Sequence, residues 1–190
     1  MVATYSQMLE LGTTAPEFSL PDPDGREHGL GSGAAAYLVM FICNHCPFVK
    51  HVRKELARIG HDYLPRNVSI VAINSNDVTT HPGDSPENMK REIDDWGYEF
   101  PYVIDRDQSV AKAYRAACTP DIFLFDAERK LVYRGQLDAS RPGNDIPVSG
   151  RDLRVALDAV LDGKPVPDEQ VPSIGCNIKW APGNEPAYFS

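Results

Sequence analysis

The feature that most restricts how this chain can fold is the run Ala36-Tyr37-Leu38-Val39-Met40-Phe41-Ile42. It carries no charge and no polar–apolar alternation, so it is expected to be a central β-strand buried on both faces. Immediately after it, Phe48, Val52, Leu56, Ile59 and Tyr63 recur at spacings of four, four, three and four, which is one face of a helix. Val68–Ile73 reads as a second buried strand. Two buried strands joined by a helix should lie parallel, with a right-handed crossover. The turn between the first strand and its helix then falls on the sheet edge where open α/β folds place their sites.

The rest of the chain repeats this alternation. Asp24-Gly25 between Phe18–Leu20 and Arg26–His28 signals a short hairpin. Ser85-Pro86 is a helix start, followed by the apolar face Met89, Ile93 and Trp96. Pro101–Ile104 reads as a strand and Asp107–Ala117 as a helix. Asp121–Phe125 and Leu131–Arg134 are close enough to form an antiparallel pair. A last helix starts near Ser149 with the face Leu153, Ala156, Leu157, Val160 and Leu161, and Gly163 is placed to end it. The expected architecture is a three-layer α/β/α sandwich with a central mixed sheet and an N-terminal hairpin extension. Residues 1–162 form the domain. Residues 163–190 hold five of the 16 prolines and read as an extended C-terminal arm. Ile174, Ile178, Trp180, Tyr188 and Phe189 make that arm too apolar to be left in water, so it should pack on the domain.

A net charge of −8 excludes non-specific nucleic-acid binding and polybasic attachment to membranes. The N-terminus has neither a basic start nor an apolar signal core, and no apolar run is long enough to span a bilayer, so a cytoplasmic protein is expected. Four cysteines in 190 residues, Cys43, Cys46, Cys118 and Cys176, are too sparse for a disulfide scaffold.

Cys43 and Cys46 are spaced Cys-x-x-Cys and lie where the first buried strand becomes its helix. Unpaired N–H groups and the helix dipole favour negative charge there, which lowers a thiol pKa. The second sulfur sits one turn away, within reach of the first. Such a pair can pass a disulfide to another molecule. His45, between the two, would stabilise a Cys43 thiolate if protonated. The other readings of the spacing are half of a zinc site, for which Cys118 and Cys176 are too far apart to supply a second close pair, and chance.

Together with this motif, the opening Ala15-Pro16-Glu17-Phe18-Ser19-Leu20, the segment Asn74-Ser75-Asn76-Asp77, the loop Cys118-Thr119-Pro120-Asp121 with the strand after it, and the late Gly175-Cys176-Asn177-Ile178-Lys179-Trp180 resemble the thioredoxin-fold superfamily. The similarity is to its redoxin or peroxiredoxin-like branch of the AhpC/TSA type, in a subgroup carrying Cys-x-x-Cys. It runs from about Gly12 to the end of the chain. The resemblance implies a thiol redox role, a cis peptide before Pro120 facing the two sulfurs, and a Thr119 backbone offered to an extended substrate. It also shows departures. Cys46 matches the peroxide-attacking cysteine of peroxiredoxins, but the Pro and Thr of that motif are Val39 and Cys43, and the Arg that polarises peroxide falls at Pro120. The buried Asp of thioredoxin is Tyr37.

The expected function is therefore a thiol–disulfide oxidoreductase with Cys43 and Cys46 as the catalytic pair and His45, Thr119 and Pro120 in support. Cys43, at the strand end, is expected to be the more exposed and the attacking sulfur. Alternatives are a peroxiredoxin-like peroxidase centred on Cys46, a copper or zinc carrier with this fold, and a redox-inert interaction module. Cys118 and Cys176 are candidate third redox thiols, which oxidation could join to each other. Asn74–Asp77 reads as a turn held by Asx hydrogen bonds or as a groove or ion site. Lys50, His51, Arg53, Lys54 and Arg58 form a basic patch on the first helix. No cofactor and no resident metal are expected. The expected partners are a protein or small-molecule disulfide or peroxide and a thiol reductant system, with the chain a monomer or homodimer.

Overall fold

The structure is a computed structural model and describes residues 3–189. After β1 (Ala3–Tyr5), the hairpin β2 (Leu20–Pro21) and β3 (Glu27–His28) pairs Leu20 with His28. The Asp22 carboxylate closes its turn by accepting from the N–H groups of Asp24 and Arg26 at 2.9 Å each. The uncharged run forms β4 (Ala36–Phe41), every residue of which is buried. It leads into α1 (Pro47–Tyr63), then β5 (Val68–Asn74). Helix α2 (Pro86–Trp96) begins with the Ser85 side chain accepting from the Asn88 N–H, and Gly97 ends it at φ 67°. Strand β6 (Tyr102–Ile104), helix α3 (Ser109–Ala113), β7 (Cys118–Thr119), β8 (Asp121–Phe125), β9 (Leu131–Arg134), α4 (Arg151–Leu161) and β10 (Ile174–Asn177) complete the chain.

The main sheet has the order β6-β5-β4-β8-β9. Strands β4, β5 and β6 are parallel, β8 runs antiparallel to β4, and β9, antiparallel to β8, runs in the direction of β4 again. Alternation along β4 sorts the core. Ala36, Leu38, Met40 and Ile42 face Val52, Leu56, Leu153 and Leu157 of α1 and α4. Tyr37, Val39 and Phe41 face the other layer, with Tyr114, Phe123, Phe125, Ile178 and Trp180. On that side Phe41 meets Tyr114 and Phe123 at ring-centroid distances of 5.6 and 5.9 Å. Tilted and edge-on contacts of this kind contribute about 0.5–1.5 kcal/mol each beyond area burial.

Three features differ from the sequence expectation. Helix α3 is shorter than Asp107–Ala117, because Arg115 takes φ 51° and turns the chain toward β7. Phe189 is 40 % exposed, although Ile178 and Trp180 of the arm are buried. The arm is not merely extended: its strand β10 lies between β1 and β7 in a second, three-stranded sheet. Gln108 ties the arm down. Its amide donates to the Ser75 and Lys179 carbonyls at 2.7 and 2.9 Å and accepts from the Ala181 N–H at 2.9 Å. No helix among the described residues is long and apolar enough to cross a membrane.

Candidate active site

Strand β4 ends at Phe41 and helix α1 starts at Pro47, so the Cys-x-x-Cys lies in the turn between them. Cys46 is the N-cap residue. The favourable field of the helix start therefore acts on Cys46 more directly than on Cys43, three residues earlier. All four cysteines are buried thiols. Cys43 is 1 % and Cys46 0 % exposed, so the expectation that Cys43 emerges at the edge while Cys46 stays shielded is corrected. The turn folds back against the loop before α2, where Asn44 and His45 bond Gly83 and Asp84.

That loop supplies Asp84, the residue that sequence reasoning missed. Its carboxylate is 1 % exposed and accepts three hydrogen bonds: from the Asn44 N–H at 2.7 Å, His45 Nδ1 at 2.6 Å and Asn76 Nδ2 at 2.8 Å. Burial would push its carboxyl up, but the bonds from His45 and Asn76, the His45 charge and the Asn44 N–H outweigh burial and hold it below the ordinary range. His45 thus does not stand as an isolated cation beside Cys43. It is matched by Asp84 and stacked on His81 at 5.2 Å. Burial and the neighbouring charges of His45 and Lys179 lower the His81 pKa. Asn44 is fixed from both sides, donating to the Gly83 carbonyl at 3.2 Å and accepting from the Tyr102 hydroxyl at 3.0 Å.

Thr119 meets both sulfurs. The Thr119–Pro120 bond is cis. The Thr119 hydroxyl shares a hydrogen bond with Cys43 Sγ at 3.3 Å, and its carbonyl accepts from Cys46 Sγ at 3.2 Å. The backbone edge at Thr119, expected to receive a substrate strand, is occupied by the chain's own β10, with Thr119 opposite Cys176. Beside Pro120, a small cleft is lined by Phe48, His51, Arg141, Ser173 and Ile174.

Cys176 is the second surprise. Its sulfur lies 2.8 Å from Cys46 Sγ, so the arm cysteine approaches Cys46 and not Cys118, the partner expected from sequence. Three sulfurs therefore meet, with Cys46 in the middle. When Cys46 is ionised, hydrogen bonding from Cys176 and then from Cys43 favours its thiolate and lowers its pKa strongly, against burial. Cys43 is pushed up by its hydrogen bond with Cys46, by burial and by the Asp84 charge. Cys176 is raised by the same bond to Cys46 and by burial. Of the three neighbouring thiols, Cys46 is thus the one whose ionised form its surroundings favour. Cys118 is apart from this exchange: burial and the nearby Asp121 raise its thiol pKa, and its Sγ faces the Pro120 carbonyl at 3.6 Å.

The other sequence candidates have structural roles. Asn74 accepts from the Asn76 N–H at 3.1 Å in an Asx turn, and Asn76 links Asp84 to the arm by accepting from the Lys179 N–H at 2.8 Å. In the basic patch, Arg53 pairs with Glu92 at 3.5 Å and covers the Trp96 ring, Arg58 pairs with Glu55, and His51 bonds Ser140. As for metal binding, Cys43, His45 and Asp84 bring three potential ligand atoms within 4.8 Å of one another. The Asp84 oxygens and His45 Nδ1 are already committed to one another and to the turn, so an ion there would have to break the bonds that hold the site.

The chain is similar to several known proteins. The family model described as AhpC/TSA family matches residues 11–134. Thiol-disulfide oxidoreductase ResA of Geobacillus thermodenitrificans is 32% identical over 132 residues, which cover 67% of this chain and 70% of that protein. Among solved structures, an uncharacterized conserved protein from Geobacillus kaustophilus has TM-score 0.94 at 57% identity, covering 96% of this chain and 98% of that one. A hypothetical protein from Sinorhizobium meliloti 1021 has TM-score 0.93 at 53% identity, covering 95% and 100%. The thioredoxin domain of a thiol-disulfide oxidoreductase from Bacteroides vulgatus shares the fold, with TM-score 0.57 at 21% identity, covering 70% and 90%. By the extent of the family match and the identity to ResA, the chain belongs to the AhpC/TSA family and has thiol-disulfide oxidoreductases among its relatives.

Proposed function

We propose that this protein is a thiol–disulfide oxidoreductase whose working pair is Cys43 and Cys46. The observation that carries the reading is the placement of both sulfurs on Thr119, next to the cis peptide to Pro120, with Cys46 capping helix α1. The relatives named thiol-disulfide oxidoreductase support the same chemistry.

In the reducing direction, the Cys46 thiolate attacks one sulfur of a substrate disulfide. A mixed disulfide forms and the other substrate sulfur leaves as a thiolate. The Cys43 thiol then loses its proton and attacks Cys46 Sγ, giving the Cys43–Cys46 disulfide and releasing the second substrate thiolate. Two electrons pass to the substrate, and a thiol reductant restores the pair. The attacking role of Cys46 departs from the sequence expectation for Cys43. It rests on Cys46 capping helix α1 and on the Cys176 sulfur 2.8 Å away, which favour a thiolate at Cys46, because the thiolate is the nucleophile. Both sulfurs are buried, so entry of a substrate requires their cover to open.

The test is exposure of the full chain to an oxidised dithiol or to oxidised glutathione, followed by alkylation and mass mapping of all four cysteines. A reversible Cys43–Cys46 disulfide is the expected product. A protein that keeps both thiols through the titration is not an oxidoreductase.

A further inference from the structure

We propose that Cys176 is a third catalytic cysteine, and that Cys46 forms two alternative internal disulfides, one with Cys43 and one with Cys176. The proposal rests on the reading of Cys43 and Cys46 as the redox pair and extends it.

The geometry is built into the fold. Strand β10 pairs with β7 so that Cys176 lies directly opposite Thr119, the residue whose carbonyl receives the Cys46 thiol. Across a non-covalent contact, the 2.8 Å between Cys46 Sγ and Cys176 Sγ leaves only a small approach to bonding distance. Gly175 makes this register available. A Cβ there would lie 2.0 Å from the Thr119 carbonyl oxygen, so any other residue would hold the strand off. The arm is also held on both sides of Cys176: Ser6 N–H donates to the Ser173 carbonyl at 2.9 Å, and Ile178 N–H to the Ala117 carbonyl at 3.1 Å. The sulfur therefore does not reach Cys46 by chance swinging of a loose tail. Strand β10 occupies the edge at Thr119 as an extended substrate would, and carries its cysteine to the reactive sulfur.

The exchange needs no outside reagent. Cys176, deprotonated, attacks Cys46 Sγ of the Cys43–Cys46 disulfide. The Cys46–Cys176 bond forms, the Cys43–Cys46 bond breaks, and Cys43 leaves as a thiolate that takes up the proton. The redox state of the protein is unchanged. In the same way Cys176 can resolve a mixed disulfide on Cys46, releasing the bound thiol. The second disulfide returns Cys43 to the reduced state and fastens the arm to the site.

The experiment compares the full-length wild type with Cys43→Ser, Cys176→Ser and the double variant Cys43→Ser/Cys176→Ser. Each is treated with oxidised glutathione, quenched with an alkylating agent and mapped by mass spectrometry. Cys43→Ser is expected to yield an intramolecular Cys46–Cys176 disulfide, and Cys176→Ser only Cys43–Cys46. The glutathione adduct on Cys46 should accumulate about tenfold or more in the double variant over Cys43→Ser, because an adjacent thiol resolves it intramolecularly. If Cys43→Ser instead accumulates the adduct as the double variant does, with no Cys46–Cys176 link, the proposal is overturned. Failure of Cys176→Ser to form Cys43–Cys46 would reject the function proposed above while leaving the Cys46–Cys176 result to stand on its own. Thermal melts of the reduced variants check that each remains folded. A further variant, Cys176→Ala, must match Cys176→Ser in the mapping; a difference between them would mean that the serine hydroxyl, and not the loss of the sulfur, sets the outcome, and would overturn the assignment.

Discussion

Gly175 packs against Thr119 so closely that a methyl group at the glycine would penetrate the Thr119 carbonyl, with 2.0 Å between the built Cβ and the oxygen. The contact joins the C-terminal strand to the loop that holds both active sulfurs. Gly175→Ala should therefore push β10 away from β7. Overpacking of this kind costs about 1–3 kcal/mol. The expected result in chemical denaturation is a loss in that range, accompanied by faster alkylation of Cys176. A variant as stable as the wild type, with unchanged Cys176 reactivity, would show that the strand does not depend on this approach.

The charge at the site should belong to Cys46. Titration by thiolate absorbance should show one low-pKa thiol in the wild type and in Cys43→Ser, and none in Cys46→Ser. A stabilised thiolate also stabilises the reduced form, so the couple should lie between about −270 mV, the value of thioredoxin, and about −120 mV, that of a strong oxidant. Equilibration with glutathione buffers measures it. A potential below the thioredoxin value contradicts the assignment of a stabilised thiolate.

Oxidation by hydrogen peroxide should be slow. Both sulfurs are at most 1 % exposed, and the groups that hydrogen-bond Cys46 include Thr119, Cys176, Cys43 and the Val49 backbone, none of them a guanidinium. Loss of one donor to a developing charge in other enzymes costs about 3 kcal/mol, a hundredfold or more in rate. Stopped-flow oxidation as fast as in dedicated peroxidases would require a cation to reach Cys46 in a rearranged state.

Removing the Asp84 charge should free Cys43. Asp84 helps push the Cys43 thiol up while holding the Asn44–His45 turn. Asp84→Asn keeps the size and removes the charge, so Cys43 should alkylate faster at mildly alkaline pH. Stability should fall as well, because an amide nitrogen cannot accept the bonds that the second carboxylate oxygen receives. An unchanged Cys43 rate would mean that its thiol does not sense this carboxylate.

Much of this site could be read from the chain because its parts are local. The uncharged run of β4, the apolar spacing of α1 and the Cys-x-x-Cys between them are adjacent in sequence, and each has its own periodic signature. Strand β10 could not be read in this way. It has four residues, Ile174–Asn177, in a proline-rich stretch, and it is a strand only because β1 and β7 flank it. Asp84 was equally hidden: a lone aspartate before a helix cap looks like loop, and its partners are Asn44 and His45, about 40 positions earlier. The error over Cys43 has one cause. The end of its strand reads as an exposed edge, whereas in the fold Thr119, 76 positions later, packs against its sulfur.

Asp121 should make stability fall as pH rises toward neutrality. It lies on β8 directly after Pro120, opposite Phe41 of β4, and is fully buried. Burial pushes its carboxyl up to about 7 from an ordinary 3.8, even though it accepts from the Ala117 N–H at 3.1 Å. The native state therefore holds a proton between about pH 4 and 7 that the unfolded chain has released. Stability is then greatest below the ordinary carboxyl pKa as far as this group is concerned, and it declines through that window by a few kcal/mol at most before levelling above pH 7. Asp84 acts in the opposite direction, since its lowered pKa contributes stability that is present above the ordinary range and is lost only in strong acid. The two effects separate by pH. Denaturant midpoints measured across that range should drop toward neutrality in the wild type. In Asp121→Asn, which mimics the protonated carboxyl, the curve should be flatter. A wild-type curve that rises through the window would show that Asp121 is ionised in the folded protein from low pH.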